Sequence, residues 1–375
     1  MKTAVIGLGF GDEGKGRVVD WLCSYRPDSL VVRFSGGSNA SHKVYKPDGS
    51  GFHAFSNLAS GTFRGCPTYW SEFCTFDPAD LLFEAEYIKK AGVENFKLYV
   101  NLDCPVVTTW DKRYNKIQND MTFHGSCGVG LGATHEREEN HYSLRVRDLF
   151  YYDLRSQKVT EIIKYYKSKG IKATLEEIEL FFICVEKSKE LFTPVESIPQ
   201  SVNYLFEGSQ GLMLDQNYGV FPHVTRSNTG TQNIIKMGFD MNSFFHDRCF
   251  LVTRAYHTRH GNGYHPTDHI PHNIKENPYE QNVENYQGKF RRGLLDVSLL
   301  KYAIEKDKIL KGNQCDMSIV ITCLDLIENE WRFVENGVIV NCLDEYEFLT
   351  KIKKLLPYPI AVSRTPYGKI EIFTL

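Results

Sequence analysis

One run of residues near the start of the chain limits its folding more than any other: Val5-Ile6-Gly7-Leu8-Gly9-Phe10-Gly11-Asp12-Glu13-Gly14-Lys15-Gly16. The apolar residues Ala4 to Ile6 read as a buried strand, a cluster of glycines follows, and Arg17 to Cys23 has helical spacing. Strand, glycine loop and helix in that order aim backbone N–H groups and the positive end of a helix dipole at a phosphate. The string departs from the common phosphate loop Gly-x-x-x-x-Gly-Lys-Ser/Thr, because Gly16 follows Lys15 and brings no hydroxyl to hold a metal. The acid pair Asp12-Glu13 inside the loop is the nearest alternative ligand.

Composition narrows the setting. A chain of 375 residues can bury a large core, and a net charge of −2 gives no electrostatic case for nucleic acid or a membrane as partner. The ten cysteines are scattered and form no Cys-x-x-Cys, a pattern that argues against zinc and for reduced thiols. Met1-Lys2-Thr3 runs straight into the first strand without a signal-peptide pattern, and no apolar run approaches the roughly 18 residues of a membrane span. A cytoplasmic protein is expected.

Along the chain, Leu30 to Phe34 reads as a second buried strand, and Lys43–Lys46 and Phe52–Phe55 read as a hairpin around a Pro-Asp-Gly turn. Pro78 to Lys90 is a helix with proline near its first turn, and Lys97 to Leu102 a strand. This alternation predicts an α/β fold: a large, mostly parallel central sheet wrapped by helices, with smaller subdomains. Gln157–Ser168 and Leu175–Leu191 read as amphipathic helices whose outer charges are a solvated face. They place a helical insertion at 151–200 within a single domain spanning 1–375. Further strands are expected at Tyr204 onward, Phe250–Tyr256 and Ile319–Asp325. His257, His260, His265, His269 and His272 are too irregularly spaced to describe a metal site.

The string Gly-Asp-Glu-Gly-Lys-Gly resembles the signature of adenylosuccinate synthetases, which join L-aspartate to the 6-position of a purine nucleotide at the expense of a nucleoside triphosphate. Gly36-Gly37-x-Asn39-Ala40-x-His42 resembles that family's second signature, and similar motifs recur in order along nearly the whole chain. The chemistry explains the pairing of residue types: a carboxylate that removes the N1 proton makes O6 nucleophilic toward a γ-phosphate, and an imidazolium stabilises that phosphate's charge. The resemblance implies Asp12 as base, His42 as acid, and Mg2+ held by Asp12 and the backbone carbonyl of Ser41. It implies Gly11, Glu13, Gly14, Lys15 and Gly16 for the donor phosphates, and Asn39, Ser126, Gln210 and Thr225 for the purine monophosphate. Lys289 and Arg291 would grip aspartate, and Asp325, Ser363 and Pro366 would surround the donor base. A homodimer is also implied.

Several positions depart from the family pattern. Cys127 replaces a hydroxyl residue in His124-Gly-Ser-Cys-Gly-Val-Gly. His141 and Tyr142 stand where a basic residue crosses the dimer interface, with Arg145 or Arg147 as substitutes. Lys289 stands at an arginine position of the motif beginning at Asn285. Cys323 replaces the lysine whose stem packs on guanine, so both GTP and ATP stay open as donor. His260 replaces a small apolar residue beside the purine pocket, and the segment from Asp325 to Pro359 is short. IMP is the favoured substrate. The alternative is dGMP with ATP, as in phage-type synthases that make 2-amino-N6-succinyl-deoxyadenylate; Asp12 argues against it, while Cys323, His260 and the short segment argue for it. A nucleotide-binding relative without catalysis would be expected to lose Asp12 or His42, and both are present.

Overall fold

The computed structural model describes residues 1–122, 125–242, 246–277 and 287–374. His124, Asn285 and Tyr286, quoted in two of the motifs above, lie outside the described residues. In chain order the strands are β1 (Lys2–Gly7), β2 (Leu30–Arg33), β3 (His42–Tyr45), β4 (Phe52–Phe55), β5 (Thr68–Trp70), β6 (Leu98–Asn101), β7 (Thr193–Val195), β8 (Tyr204–Glu207), β9 (Arg248–Arg254), β10 (Tyr256–His260), β11 (Phe290–Asp296), β12 (Asp316–Thr322), β13 (Trp331–Glu335), β14 (Val338–Cys342), β15 (Ile360–Val362) and β16 (Glu371–Phe373). Ten of them form one sheet, ordered β16-β15-β12-β9-β1-β8-β2-β5-β6-β7. Its pairs are parallel except β15 with β16.

Central strands of such a sheet must be apolar on both faces, because helices cover both. Val5 of β1 packs with Val18, Val19 and Leu22 of helix α1 (Lys15–Tyr25). Its neighbours Ala4 and Ile6 point the other way, into a layer with Leu251, Ile319, Leu300 and Ala303. The period-2 switch of faces thus seats α1 directly after the glycine loop.

Helix α2 (Pro78–Lys90) has the bounds its sequence predicts. Asp77 caps it by accepting from the Ala79 and Asp80 N–H groups, Pro78 opens it, and Lys89 and Lys90 close it. Helices α3 (Thr109–Thr122), α4 (Leu131–Glu139), α5 (Tyr152–Ser168) and α6 (Leu175–Ser188) follow. α5 starts at Tyr152, ahead of the expected Gln157, because buried Arg155 belongs to its first turns: it donates to the Leu149 carbonyl at 2.8 Å and pairs with Glu186 of α6 at 2.6 Å. Val159, Ile162 and Tyr166 of α5 and Phe181 and Val185 of α6 share a core with Trp70, Val100 and Trp110 at the β5–β6 flank.

The expected strand Phe250–Tyr256 is broken in two. β9 ends at Arg254, the Ala255 N–H donates to the Thr322 carbonyl at 2.9 Å, and Tyr256 begins β10 in a separate sheet ordered β10-β11-β13-β14. Its neighbour β12 also stops there, at Thr322, because Cys323 adopts a left-handed conformation with φ 58°. Among the described residues no helix is long and apolar enough to cross a membrane.

One buried ion pair ties the helical flank together. Arg137 of α4, fully buried, donates through Nε to Asp111 at 2.9 Å and through Nη2 to the Val106 carbonyl at 2.8 Å, and the Tyr166 hydroxyl donates to the same carboxylate at 2.5 Å. Arg137→Met strands that carboxylate in the core and is expected to cost about 3–5 kcal/mol in urea unfolding. A loss below about 1 kcal/mol would show that Asp111 is satisfied without it.

Candidate active site

The carboxyl ends of β1, β2, β8, β9 and β12 converge on a cleft of about 1310 Å³, the place where parallel α/β sheets present ligand-binding loops. Of the residues expected to act, Gly11, Asp12, Gly14, Lys15, Gly16, Asn39, Ser41, His42, Ser126, Gln210, Thr225, Asp325, Ser363 and Pro366 line it. Glu13, Lys289 and Arg291 do not. Lys289 is exposed. Arg291 pairs with Asp268 at 2.7 Å and donates to the Gly263 carbonyl. Arg145 and Arg147, the candidates for an interface contact, both reach Asp103 within the chain, at 3.3 and 2.7 Å.

The two acids of the loop face opposite ways. Glu13 turns inward: its Oε1 accepts from the Gly9 and Gly11 N–H groups at 3.1 and 2.9 Å, and its Oε2 receives the Lys15 ammonium at 2.6 Å. Asp12, at φ 60°, turns outward. The cleft walls surround it, yet 46% of its side-chain surface stays open, and its Oδ2 lies 3.0 Å from His260 Nε2. Burial raises the Asp12 carboxyl, but the His260 hydrogen bond and the charges of His260, Arg254 and Lys15 outweigh it and hold it well below the usual carboxylate range. Arg254 also donates through Nε to the Asp12 carbonyl at 2.5 Å.

His42 stands against the first turn of α1. A Cβ on Gly16 would lie 2.6 Å from the His42 Cβ, so the position that carries Ser or Thr in the common phosphate loop has no room for a side chain here. The imidazole Nδ1 meets Glu207 Oε1 at 2.5 Å, and the fully buried Glu207 also accepts from the Ser60 N–H at 3.1 Å and from its hydroxyl. Burial raises the Glu207 carboxyl, but His42, Arg33 and Ser60 prevail and bring it down to about 2. Burial pushes the His42 imidazole below its ordinary value against the pull of Glu207. A carboxylate behind an imidazole fixes the ring's tautomer and orientation, leaving Nε2 for the cleft.

On another wall, Asn119 accepts from the Gly125 and Ser126 N–H groups at 2.8 and 2.9 Å, and Asn115 accepts from the Ser126 hydroxyl and the Gly130 N–H at 3.0 and 3.1 Å. Side-chain oxygens thus gather the N–H groups of this glycine loop to one side. Gln210 Oε1 and Asn39 Oδ1 are buried acceptors with no hydrogen-bond partner among the described residues, a cost that a donor-bearing ligand would relieve. Arg259 lies over the Phe10 ring at 4.4 Å and donates to the Tyr264 and His223 carbonyls at 2.8 and 2.7 Å. Burial, with the nearby Arg291 charge, pushes its guanidinium down to about 10.

Sequence reasoning missed Glu207, Arg254 and Arg259 as parts of this site. A signal existed for Glu207, a carboxylate closing an apolar strand just before a glycine turn. Arg259 stands in a run, His257-Thr-Arg-His-Gly-Asn-Gly, that resembles a family motif, which was a signal for it; Arg254 carried none, because only the break at Ala255 brings it over the loop.

A family model described as adenylosuccinate synthetase matches residues 4–331. The adenylosuccinate synthetase of Thermoplasma volcanium is 31% identical over 332 residues, 82% of this chain and 73% of its own. This chain belongs to the adenylosuccinate synthetase family. It is therefore a nucleotide-dependent ligase that forms a carbon–nitrogen bond in purine biosynthesis. Two solved structures share the fold. The fully ligated Plasmodium falciparum adenylosuccinate synthetase superposes with a TM-score of 0.79 at 20% identity, covering 99% of both chains. The cyanophage S-2L succinoaminodeoxyadenylate synthetase, bound to dGMP and to dATP as an energy donor, superposes with a TM-score of 0.61 at 14% identity, covering 97% of this chain and 93% of its own. The mostly parallel sheet is thus the sheet of adenylosuccinate synthetases.

A carboxyl held below its ordinary value of 4.5 stabilises the fold above that pH, and the contribution is lost as pH falls toward about 2. Glu207→Gln is expected to cost about 3 kcal/mol at neutral pH, with the gap to the parent closing as acid is added through that window. Urea unfolding of both proteins at stepped pH reads it; a gap that ignores pH would mean that Glu207 is not an anion in the fold.

Proposed function

We propose that the chain transfers the γ-phosphate of GTP or ATP to O6 of IMP and then lets the amine of L-aspartate displace that phosphate at C6, giving N6-succinyl-AMP. The observation that carries this reading is the meeting of Asp12 and His42 in one cleft beside the phosphate loop, the imidazole braced by the buried Glu207 anion. Asp12, ionised and open to the cleft, takes the N1 proton as O6 attacks the γ-phosphorus, and the bond from that phosphorus to the β-phosphate oxygen breaks to release GDP or ADP. His42 places its free Nε2 toward the transferring phosphoryl oxygens, where a hydrogen bond strengthens as charge develops. The aspartate nitrogen then bonds to C6, the C6–O bond breaks, and inorganic phosphate leaves with its electron pair.

Of the loop's two acids only Asp12 presents oxygens to the cleft, and a hard oxygen donor next to phosphates fits Mg2+. Asp12 and the Ser41 carbonyl would hold it, and it would draw charge from the donor's phosphate oxygens. Lys15 and the N–H groups of Gly14 and Gly16 serve the donor phosphates; Asn39, Ser126, Gln210 and Thr225 serve the purine monophosphate. Asp325, Ser363 and Pro366 surround the donor base. Arg291 already holds a carboxylate, that of Asp268, and would exchange it for one of aspartate's, with Lys289 beside it. The chain acts as one cytoplasmic domain, with 151–200 as an insertion, in a homodimer.

A second reading is dGMP as substrate with ATP as donor; it is favoured by Cys323, which removes a lysine stem from the donor-base end. Phosphate release with aspartate, assayed for IMP and dGMP with GTP and ATP in turn, separates the two. Expected is turnover with IMP; turnover with dGMP alone selects the second reading, and nucleotide binding without aspartate-dependent release refutes both. Asp12→Asn should lower kcat by about 100- to 10,000-fold in a protein that circular dichroism still shows folded at the assay temperature; full activity would remove Asp12 as the base.

A further inference from the structure

The contact between His260 and Asp12 has a consequence for which purine the cleft accepts. Asp12 is fixed from three directions: by its left-handed backbone at φ 60°, by Arg254 on its carbonyl, and by His260 Nε2 at 3.0 Å from Oδ2. His260 is itself held. It ends β10 directly opposite Phe290 of β11, and the two rings lie 4.7 Å apart. Its Nδ1 is out of contact with solvent and has no hydrogen-bond partner among the described residues, so its polar interaction in the cleft is made through Nε2.

A 6-oxopurine offers a carboxylate one donor at N1. Guanine adds a second at the neighbouring 2-amino group, and a carboxylate recognises that pair by giving one oxygen to each. Here Oδ2 already faces a nitrogen donor. A hypoxanthine base can place N1–H on Oδ1 without loss. A guanine base in the same pose brings its 2-amino donor up against the His260 donor, and the two must crowd onto Oδ2. Two donors converging on one oxygen each pair less well, which weakens binding of the guanine base.

We propose that His260, which as a departure from the family pattern pointed toward dGMP in the sequence, acts in the opposite sense as a specificity-determining residue: by engaging Asp12 Oδ2 it makes the cleft select 6-oxopurine nucleotides with hydrogen at C2 over those with a 2-amino group. The inference rests on the role of Asp12 given under the proposed function and names what decides the substrate there.

Two nucleotide pairs that differ only in the 2-amino group, IMP with GMP and dIMP with dGMP, isolate the effect from that of the sugar. Dissociation constants from calorimetry, without metal or donor, and kcat/KM with aspartate are measured for the parent, His260→Val and His260→Gln. The parent should favour the hypoxanthine member of each pair on the order of 10- to 100-fold. His260→Val should shrink that preference about tenfold or more, through a gain by the guanine member. His260→Gln, whose amide N–H can still reach Oδ2, should keep it. A parent that favours the guanine member, a preference that His260→Val leaves unchanged, or equal weakening of both members overturns the proposal. Absence of aspartate-dependent turnover for every nucleotide would instead refute the proposed function, while the ratio of dissociation constants still reports on His260.

Discussion

The carboxylate of Glu13 ties the phosphate loop into one shape, and the rest of the cleft depends on it. Backbone N–H groups gathered by a glycine loop need an anion, and here the protein supplies one from within. Glu13 takes the Gly9 and Gly11 N–H groups and the Lys15 ammonium, while its carbonyl receives the Thr322 hydroxyl at 2.7 Å. The fit leaves no spare space, since a Cβ at Gly7 would lie 2.4 Å from Glu13 Oε2. Burying this acid would cost several kcal/mol if it were unpaired; Lys15 and the N–H groups offset that. Because Glu13 is spent inside, the chain must reverse at Asp12, and the positive φ there turns the second acid outward. One acid builds the loop so that the other can face a ligand.

The legibility of the chain follows the range of the forces involved. Helix α2 was readable to the residue because its cap, proline and terminal lysines are local, and Asp77 binds N–H groups only two and three residues away. The glycine loop and the hairpin of β3 and β4 were readable for the same reason, and the parallel sheet from the alternation of strand and helix along the chain. The early start of α5 was not, since it rests on Arg155 meeting Glu186, a contact between helices. Nor was the break at Ala255, which depends on where β12 ends. The site shows the same division: types and order of residues were visible, whereas the inward turn of Glu13, the Glu207 brace and the Arg291–Asp268 pair are contacts between distant segments. Physical chemistry of single segments cannot supply them.

Departures from the family pattern are spread over several parts of the chain, and some of them line the cleft. The residues expected to meet phosphates, Gly14, Lys15, Gly16 and Thr225, are retained, as are Asp12 and His42. Three changes line the cleft: Cys127 beside Ser126, His260 beside Asp12, and Cys323, left-handed at φ 58°, near Asp325. Phosphoryl chemistry is common to every purine and donor, so its electrostatics tolerate little change. Base edges differ between purines, and one side chain alters which edge is accepted. A chain about 31% identical to its cellular relative can therefore keep the reaction while its choice of nucleotide is open to adjustment.

His42 is buried, and burial lowers it, yet its partner Glu207 is a full anion with no solvent around it. Arg33, also fully buried, balances that charge through space: it donates to the Ala40 carbonyl at 2.9 Å and lies over the Trp70 ring at 5.2 Å, with Nε and Nη1 unpaired among the described residues. Its field reaches Glu207 and His42 alike, lowering both. In a medium this dry, such a field acts at longer range than in water. The imidazole is thus held between a carboxylate that favours its proton and a guanidinium that opposes it. An anion held at Nε2 would add negative charge on the open side and favour the imidazolium.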